Sequence, residues 1–447
     1  MATTLFGGPR GRHAADVVPA RRALILAGLL SLGACLTLAL GFLQKSHCVR
    51  YGWAAPEAYW KACYSDLPTY AAFTGLPGSG LPYGSGDAVT QPVGSGILIW
   101  LLSFAAPETG LARQQGFFIA WTILAALCLV VIVCALVWTV PSRPEFAAHV
   151  AFSPVLVTVA LVSPDLAAIA LVSVGLWAWS RSQPVAAGVA LGLAMSTRSL
   201  SIVVLLVLLG LAVRAGVRHQ WARMAGTAVI TAVVVIGGAT LVYGTTTLAS
   251  YQVWMTAGAE LGSPWYLATL AGRGLSPQVL LVFAVLGWVL AGAVAVWLTF
   301  STHVRPRVGE VALIVVLIIL MTGKALPVQA ALWVLPFLAL ARLPWRDHLI
   351  WAATEVTAFV AVWLYLGGLH DERAALPPAW YAVFLIVRLL GMSWLVIATI
   401  RQIRGRQGIA DDEAAGPIAE APDAVVVMYT RRGENGEATP RAAPDPR

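Results

Sequence analysis

Charge is what this chain has least of. Charged residues make up 11% of its 447 positions and hydrophobic residues 59%, whereas soluble domains carry about 25% charged residues. With a mean hydropathy of +0.79, the chain has too little polar surface to cover a water-soluble core. The arginines behind the net charge of +8 lie in short loops between apolar runs, which argues against nucleic acid as a partner. The composition therefore predicts a protein surrounded by membrane lipid.

Two other patterns are missing. The alternating hydrophobicity of a membrane β-barrel is absent, and only helices or closed barrels satisfy the backbone within lipid. No cysteine–histidine spacing resembles a zinc site, and no acidic pair near Asp66 demands a divalent ion. We therefore predict an all-α, polytopic integral membrane protein that binds neither a metal nor a cofactor.

Apolar stretches of membrane-spanning length recur from Ala23 to Ile400. A span needs roughly 20 apolar residues, and several of these stretches are shorter, which indicates broken or tilted helices. We predict about twelve transmembrane helices, at residues 22–44, 116–139, 145–163, 165–180, 184–197, 198–213, 223–244, 278–300, 309–323, 326–341, 347–367 and 379–400.

Basic residues set the predicted orientation, because loops rich in Arg and Lys face the cytoplasm. Arginines precede the first span, follow the last and fill several loops between them, so both termini are expected in the cytoplasm. An even number of spans then requires that the apolar piece Gly94–Ala106 lie at the interface or re-enter. The first apolar stretch is an anchor rather than a cleaved signal peptide.

Three regions follow from this topology. Residues 1–21 form a cytoplasmic segment and residues 22–403 the membrane-embedded domain. Residues 404–447 are rich in Ala, Pro, Glu and Asp, which predicts a disordered cytoplasmic tail. The loop Lys45–Val93 becomes a large first extracytoplasmic loop.

Asp66 lies in that loop. A carboxylate at the low-dielectric boundary is a better base than one in bulk water, because desolvation raises its pKa, so Asp66 is the candidate catalytic base. The alternative is a helix N-cap, with Ser65 or Asp66 starting a short helix through Phe73 and with Pro68 in its first turn.

Three further ionisable residues lie in turns on the same predicted side. Asp165 is either the N-cap of the span that begins at Leu166 or a group that orients a substrate hydroxyl. Arg198 and Lys324 either reach toward lipid headgroups or clamp a phosphate, since Arg binds phosphate through two hydrogen bonds and Lys as a point charge. Ionisable residues at membrane depth often mark function.

The long loop 245–277 and the first loop supply the remaining candidates. Trp265 and Tyr266 fit an aromatic belt at the membrane interface, or they contact sugar rings and lipid chains. Cys48 and Cys63 lie 15 residues apart in the first loop, and a disulfide between them is plausible in an oxidising compartment.

The order of these motifs resembles the membrane-embedded, polyprenyl-phosphate-sugar-dependent glycosyltransferases of the C superfamily, and most nearly glycosyltransferase family 87, the α-mannosyltransferases of actinobacterial cell envelopes. Two departures stand out: a Tyr-Pro-Pro signature is missing after Tyr83, and Arg198 replaces a usual Lys. The resemblance rests on Asp66–Tyr70, Pro82–Tyr83, Gln91–Pro92, the Asp-Leu-led span from Asp165 to Arg198, Gly262–Tyr266, and the turn and helix with Lys324, Pro327, Gln329, Trp333 and Pro336.

The resemblance implies inverting transfer of a sugar from a polyprenyl-phosphate donor to an envelope glycolipid or glycan at the outer face of the plasma membrane. Mannose is the first candidate for this sugar. Asp66 would be the base, and Arg198 and Lys324 would bind the donor phosphate. Tyr70, Tyr83, Asp165, Trp265, Tyr266 and Gln329 would contact substrate. Membrane lipids and other envelope-synthesis proteins are the expected partners.

Three alternatives remain open at this point. The sugar can be arabinofuranose or another pentose. The missing Tyr-Pro-Pro signature leaves room for a non-catalytic scaffold of envelope assembly, in which Asp66 is dispensable. A lipid or small-molecule transporter predicts ionisable residues near the bilayer midplane and repeated halves, whereas the charges here lie at turns and no clear repeat is visible.

Overall fold

The computed structural model describes residues 19–71, 80–84, 89–106, 109–302, 304–371, 375–406, 412–419 and 421. All regular structure in these ranges is helical, and they contain no strand, which confirms the all-α prediction. The longer helices are labelled in chain order as α1 Ala20–Gln44, α2 Val93–Ser103, α3 Gly110–Thr139, α4 Asp165–Ser180, α5 Pro184–Thr197, α6 Ile202–Arg214, α7 Arg218–Tyr243, α8 Pro277–Ser301, α9 Val308–Thr322, α10 Val334–Ala341, α11 Trp345–Gly368 and α12 Pro378–Gly405.

Shorter elements connect these helices. Helices of four to eight residues lie at Ser46–Tyr51, Glu57–Trp60, Leu67–Tyr70, Ala148–Ala151, Pro154–Val159, Ala249–Thr256 and Tyr266–Leu270. Tighter 3₁₀ turns lie at Pro144–Ala147, Ser199–Ser201, Gly244–Leu248, Val328–Trp333 and Glu413–Ile418.

The helix surfaces confirm a membrane protein. Six helices in the described ranges, α1, α3, α7, α8, α11 and α12, are long and apolar enough to cross a bilayer. Their outward faces carry large apolar side chains, such as Leu29 and Leu36 on α1, each about 60% exposed. Exposed apolar stripes of this length on several long helices are typical of contact with membrane lipid.

The predicted span 145–163 is not one helix, and this prediction is wrong in detail. A 3₁₀ turn at Pro144–Ala147 leads into the short helix Ala148–Ala151, and a second short helix starts only at Pro154. The break falls at Ser153, because Pro154 has no N–H and disfavours helical geometry in the residue before it. Ser153 is extended (φ −67°, ψ 127°), and its hydroxyl accepts a hydrogen bond from the Val155 N–H.

The piece predicted not to cross forms α2. This helix has 11 residues, about half of what a crossing requires. It packs beside the end of α5, where the Ser95 hydroxyl donates to the Thr197 carbonyl oxygen at 3.0 Å. Its position relative to the membrane surface remains a prediction.

Small residues allow α5 and α7 to pack closely against each other. A Cβ at Gly188 of α5 would lie 2.4 Å from the Met224 carbonyl oxygen of α7, and one at Gly192 would lie 2.5 Å from that of Ala228. Close backbone approach at small residues is the usual packing of membrane helices, so these glycines fix how α5 and α7 meet.

Part of the predicted disordered tail is ordered instead. α12 continues to Gly405, and residues 412–419 lie against the opposite end of the bundle from Asp66, where Ala414, Ala415 and Ile418 are buried. We call residues 412–419 with Ala421 the docked tail. Residues 1–18, 407–411, 420 and 422–447 of the predicted terminal regions lie outside the described residues.

Hydrogen bonds hold the docked tail to four separate elements. The carboxylate of Asp412 accepts from the Val308 N–H at 2.8 Å, at the N-terminus of α9 where the helix dipole favours an anion. The Glu413 carboxylate accepts from the Ser142 N–H, at 3.0 Å to the nearer oxygen. Trp179 Nε1 donates to the Ala415 carbonyl oxygen at 2.8 Å, and Arg305 donates to the Ile418 carbonyl oxygen. The tail composition does not reveal these partners, because they come from distant loops.

Deleting residues 412–447 is expected to lower the stability of the folded protein. Burial of Ile418 alone contributes about 1.5–3 kcal/mol, and the hydrogen bonds to Val308, Ser142 and Trp179 are lost with it. Deleting only residues 422–447 is the matched control and is expected to leave the melting temperature unchanged. Thermal unfolding in detergent checks both, and equal melting temperatures for the two truncations would contradict the docking.

Candidate active site

Lys45 holds the segment that carries Asp66 in place. Lys45 directly follows α1 and is fully buried, and its ammonium donates to the Tyr64 carbonyl oxygen at 2.9 Å and lies 4.9 Å from the centre of the Phe359 ring. Cys48 and Cys63 form a disulfide across the same segment, the pairing that the sequence suggests. The backbone leading to Asp66 is therefore held at several points.

Asp66 starts the short helix Leu67–Tyr70 without capping it. Its N–H donates to the Val162 carbonyl oxygen at 2.9 Å, while its side chain makes no cap hydrogen bond. The Ser65 hydroxyl accepts from the Leu67 N–H at 3.2 Å instead. The capping interpretation is therefore wrong for the Asp66 side chain, and the predicted continuation to Phe73 lies outside the described residues.

The Asp66 side chain lines a cavity of about 480 Å³. This volume lies within the range typical of small-molecule sites. The wall is mostly aromatic and aliphatic, and its polar members come from the first loop, the 245–276 loop, the turn after α9, and α12. The polar and aromatic members of the wall are Tyr59, Tyr64, Asp66, Glu260, Tyr266, Gln329, Trp363, Tyr381, Phe384 and Arg388.

Burial raises the pKa of Asp66 to about 6. A hydrogen bond with Tyr64 and the charges of Arg198 and Lys45 oppose this shift, whereas Asp165 adds to it. The carboxylate is thus mainly ionised at neutral pH and more basic than an exposed one. A pKa near the working pH is what general base catalysis requires.

Asp165 and Arg198 form a buried pair behind Asp66. Arg198 Nε donates to Asp165 Oδ1 at 3.0 Å, and its Nη1 donates to Gln91 Oε1 at 2.6 Å. Trp333 Nε1 donates to Asp165 Oδ1 at 2.9 Å, and the Ser163 hydroxyl donates to Oδ2. Asp165 does not cap α4, so the capping interpretation is wrong. It does not line the cavity, and its contact with a substrate hydroxyl stays a prediction.

Lys324 is bound by backbone carbonyls rather than placed at the cavity. Its ammonium donates to the carbonyl oxygens of Trp254, of Met255 at 3.1 Å and of Ala257 at 3.3 Å. It also lies 4.8 Å from the centre of the Trp254 ring. These carbonyls end the helix Ala249–Thr256, where the dipole favours a cation. The guanidinium of Arg198 is likewise bound to Asp165 and Gln91. Both predicted phosphate ligands therefore have protein partners in this structure, and their role as a phosphate clamp stays a prediction.

The other predicted substrate residues divide into two groups. Tyr266 and Gln329 line the cavity. Tyr70 and Tyr83 are buried elsewhere, and the Tyr83 hydroxyl donates to the Gln91 carbonyl oxygen at 2.8 Å. Trp265 stacks on Phe283, with ring centres 4.3 Å apart. These last three side chains shape the loops around the site, and none lines the cavity.

The sequence did not point to several residues at the site, including Tyr64, Glu260, Arg388 and Lys45. Tyr64 hydrogen-bonds to Asp66, Glu260 and Arg388 line the cavity, and Lys45 supports the segment from below. Lys45 and Arg388 carried a usable signal, since each is a cation at or inside an apolar helix. Tyr64 and Glu260 look like ordinary loop residues until the loops are folded together.

Neither a metal centre nor a known family emerges. Within the described ranges, no group of three His, Cys, Asp or Glu residues is placed to hold a metal ion. No protein-family model matches the chain, and no curated protein matches it. The resemblance to glycosyltransferase family 87 therefore stays a prediction.

Among solved structures, the chain is similar to the Archaeoglobus fulgidus oligosaccharyltransferase tethered through a disulfide bond to an acceptor peptide with the NVT sequon. The identity is 14% and the TM-score 0.33, with 91% of this chain and 56% of that chain covered. The chain thus spans about half the length of that protein. A likeness this weak carries no argument about fold, substrate or partner.

Proposed function

We propose that this protein is a membrane glycosyltransferase that moves a sugar from a polyprenyl-phosphate donor to a glycolipid or glycan of the cell envelope. Mannose is the first candidate for this sugar. One observation carries the proposal. A carboxylate with a raised pKa, Asp66, lines a cavity rich in aromatic rings at one end of a bundle of membrane helices.

The main task of the protein's own groups in this reaction is to supply a base. Asp66 accepts the proton of an acceptor hydroxyl, and the oxygen attacks the anomeric carbon of the donor sugar. The bond from that carbon to the phosphate oxygen breaks, and the polyprenyl phosphate leaves with the electron pair. A single displacement that uses one base and forms no covalent enzyme intermediate inverts the anomeric configuration, as in inverting glycosidases. Tyr64 and Arg198 favour the ionised form of Asp66.

The orientation belongs to the proposal as well. We place the cavity at the outer face of the plasma membrane, with both termini in the cytoplasm. Arginines gather at the end opposite the cavity, where Arg307 and Arg406 both contact Glu310 and Arg305 contacts the docked tail. This distribution supports the orientation, because cytoplasmic loops carry an excess of Arg and Lys.

Transfer by the reconstituted protein tests the function. The purified full-length chain is placed in liposomes with radiolabelled polyprenyl-phosphate-mannose and an envelope lipid extract. We expect label in the glycolipid fraction with inverted anomeric configuration. A parallel reaction uses polyprenyl-phosphate-arabinofuranose, so that label from this donor alone assigns a pentosyltransferase. No transfer from either donor contradicts the proposal and favours a scaffold.

Transport is a second candidate, and one observation favours it. Glu355 and Arg388 form an ion pair of 2.9 Å between α11 and α12, well inside both apolar helices, and such residues often line transport pathways. Arg388 also donates to the carbonyl oxygens of Leu326 and Pro327, which gives it a structural task. Uptake of labelled lipid-linked sugar into liposomes without glycosyl transfer would favour transport.

A further inference from the structure

We propose that the cavity beside Asp66 binds an uncharged sugar ring of the acceptor and that Glu260 binds the hydroxyl groups of this ring. The proposal rests on the proposed function and adds to it the charge class of the acceptor and a residue that selects it. Three features support the proposal. Backbone contacts anchor the Glu260 segment, the Glu260 carboxylate receives no hydrogen bond from the described residues, and the cavity wall carries negative charge.

Hydrogen bonds on both sides hold Glu260 in place. Its own N–H donates to the Lys324 carbonyl oxygen at 2.9 Å, and the Ser263 N–H donates to the Glu260 carbonyl oxygen at 3.1 Å. The Gly262 N–H donates to the Tyr381 hydroxyl at 3.1 Å. The chain at Gly262 has a φ of +80°, and a Cβ there would lie 2.0 Å from the Leu326 carbonyl oxygen. Only glycine lets this segment approach the turn so closely, so the position of Glu260 is set by backbone contacts.

The Glu260 carboxylate is available to a ligand. It lines the cavity, and no hydrogen bond from the described residues reaches it. Burial raises its pKa, and the charge of Lys324 opposes this shift. An ionised carboxylate only accepts hydrogen bonds, so its natural ligand is a donor such as a sugar hydroxyl.

The charge of the wall selects against an acidic acceptor ring. Of the described residues that line the cavity, Arg388 is the single cation, and its guanidinium is already bound to Glu355 and to two carbonyl oxygens. Asp66 and Glu260 thus give the wall itself negative charge, which disfavours an acceptor ring that carries a carboxylate. A neutral ring meets carboxylates for its hydroxyls and aromatic faces for its C–H groups.

The aromatic rings of the wall are held in fixed positions. Tyr59 stacks on Trp363 with ring centres 5.9 Å apart, and Tyr64 lies 4.9 Å from the same indole. On the other side, Tyr365 stacks on Tyr381 at 4.5 Å. Rings fixed in this way offer a flat apolar surface without further loss of side-chain entropy. The site is therefore built for a ring with one apolar face and polar edges.

Sugar binding by the full-length protein in lipid nanodiscs tests the proposal. The probes are a neutral methyl dimannoside and its uronic acid counterpart, and saturation-transfer NMR reports binding without any donor present. We expect the wild type to bind the neutral probe and to discriminate against the acid. Glu260→Gln is expected to weaken binding of the neutral probe about tenfold, because the amide oxygen is a weaker acceptor than the charged carboxylate, and to reduce the discrimination.

Glu57→Gln is the matched control. It removes the same charge from an exposed position in the first loop that does not line the cavity, and binding is expected to match the wild type. Equal binding of both probes by the wild type, or unchanged binding by Glu260→Gln, overturns the proposal. If the neutral probe binds through Glu260 and transfer fails with every donor, the proposed function is wrong and the binding assignment stands.

Discussion

Asp66→Asn is expected to lose sugar transfer by a factor of about 10²–10⁴, the usual contribution of a general base. The amide keeps the shape of the side chain and cannot take the proton of the acceptor hydroxyl. Donor binding is expected to stay at the wild-type level, because Asp66 bears on the acceptor side of the reaction. Initial rates of label transfer in liposomes measure the loss, and Glu57→Gln controls for removing one negative charge from the same loop.

The Asp66→Asn variant is expected to become more stable than the wild type as the pH rises. Burial moves the pKa of Asp66 from the usual 3.8 to about 6, so the folded protein binds more protons than the unfolded chain between these values. Its stability therefore falls as the pH rises through this window. Asparagine does not ionise, and the variant gains on the wild type from about pH 4 to 6.

Melting temperatures of the wild type and Asp66→Asn at pH 4.5, 5.5 and 6.5 measure this gain. Burial lowers the pKa of Lys45 to about 7, and the charge of Asp66 opposes this shift, so the comparison is kept below pH 7. If Asp66→Asn loses sugar transfer while its stability rises relative to the wild type with increasing pH, the substitution has removed the chemistry and left the fold intact. Wild-type transfer rates in the variant would remove Asp66 as the base.

Removing one partner of the Asp165–Arg198 pair is expected to destabilise the protein by about 3–5 kcal/mol. The side chains are 8% and 19% exposed, so either Asp165→Ala or Arg198→Ala leaves a charge in a poorly hydrated place. The double variant removes both charges and is expected to recover part of the loss. This result would define the pair as a scaffold that connects α4 to the start of α6.

Equilibrium unfolding in mixed detergent micelles measures these differences. Glu145→Gln is the matched control, because the Arg143–Glu145 pair is more exposed, at 27% and 29%, and exposed pairs contribute about 0–1 kcal/mol. Normal stability in Arg198→Ala, together with weaker binding of the donor, would contradict the scaffold role and restore the predicted phosphate contact.

Local patterns in the sequence predict the helices well and their interruptions less well. Hydropathy alone places the ends of α1, α8 and α11 within two residues, because a lipid-facing helix needs a continuous apolar run. The break at Ser153 is missed, since an apolar count ignores the lost N–H of Pro154. The docked tail is missed for another reason: its small residues and carboxylates look solvated until Val308, Ser142 and Trp179 come together to receive them.

The sequence by itself determined that this is an all-α membrane protein and that Asp66 lies in the loop after the first helix. Only the tertiary structure decided the partners of the charges. Asp165 and Arg198 each looked free to bind substrate, and packing of α4 beside α5 joins them to each other. Glu260 enters the site only because the 245–276 loop folds onto the turn after α9. Hydropathy is a local property of the chain, whereas the partner of a buried charge depends on which distant segment packs next to it.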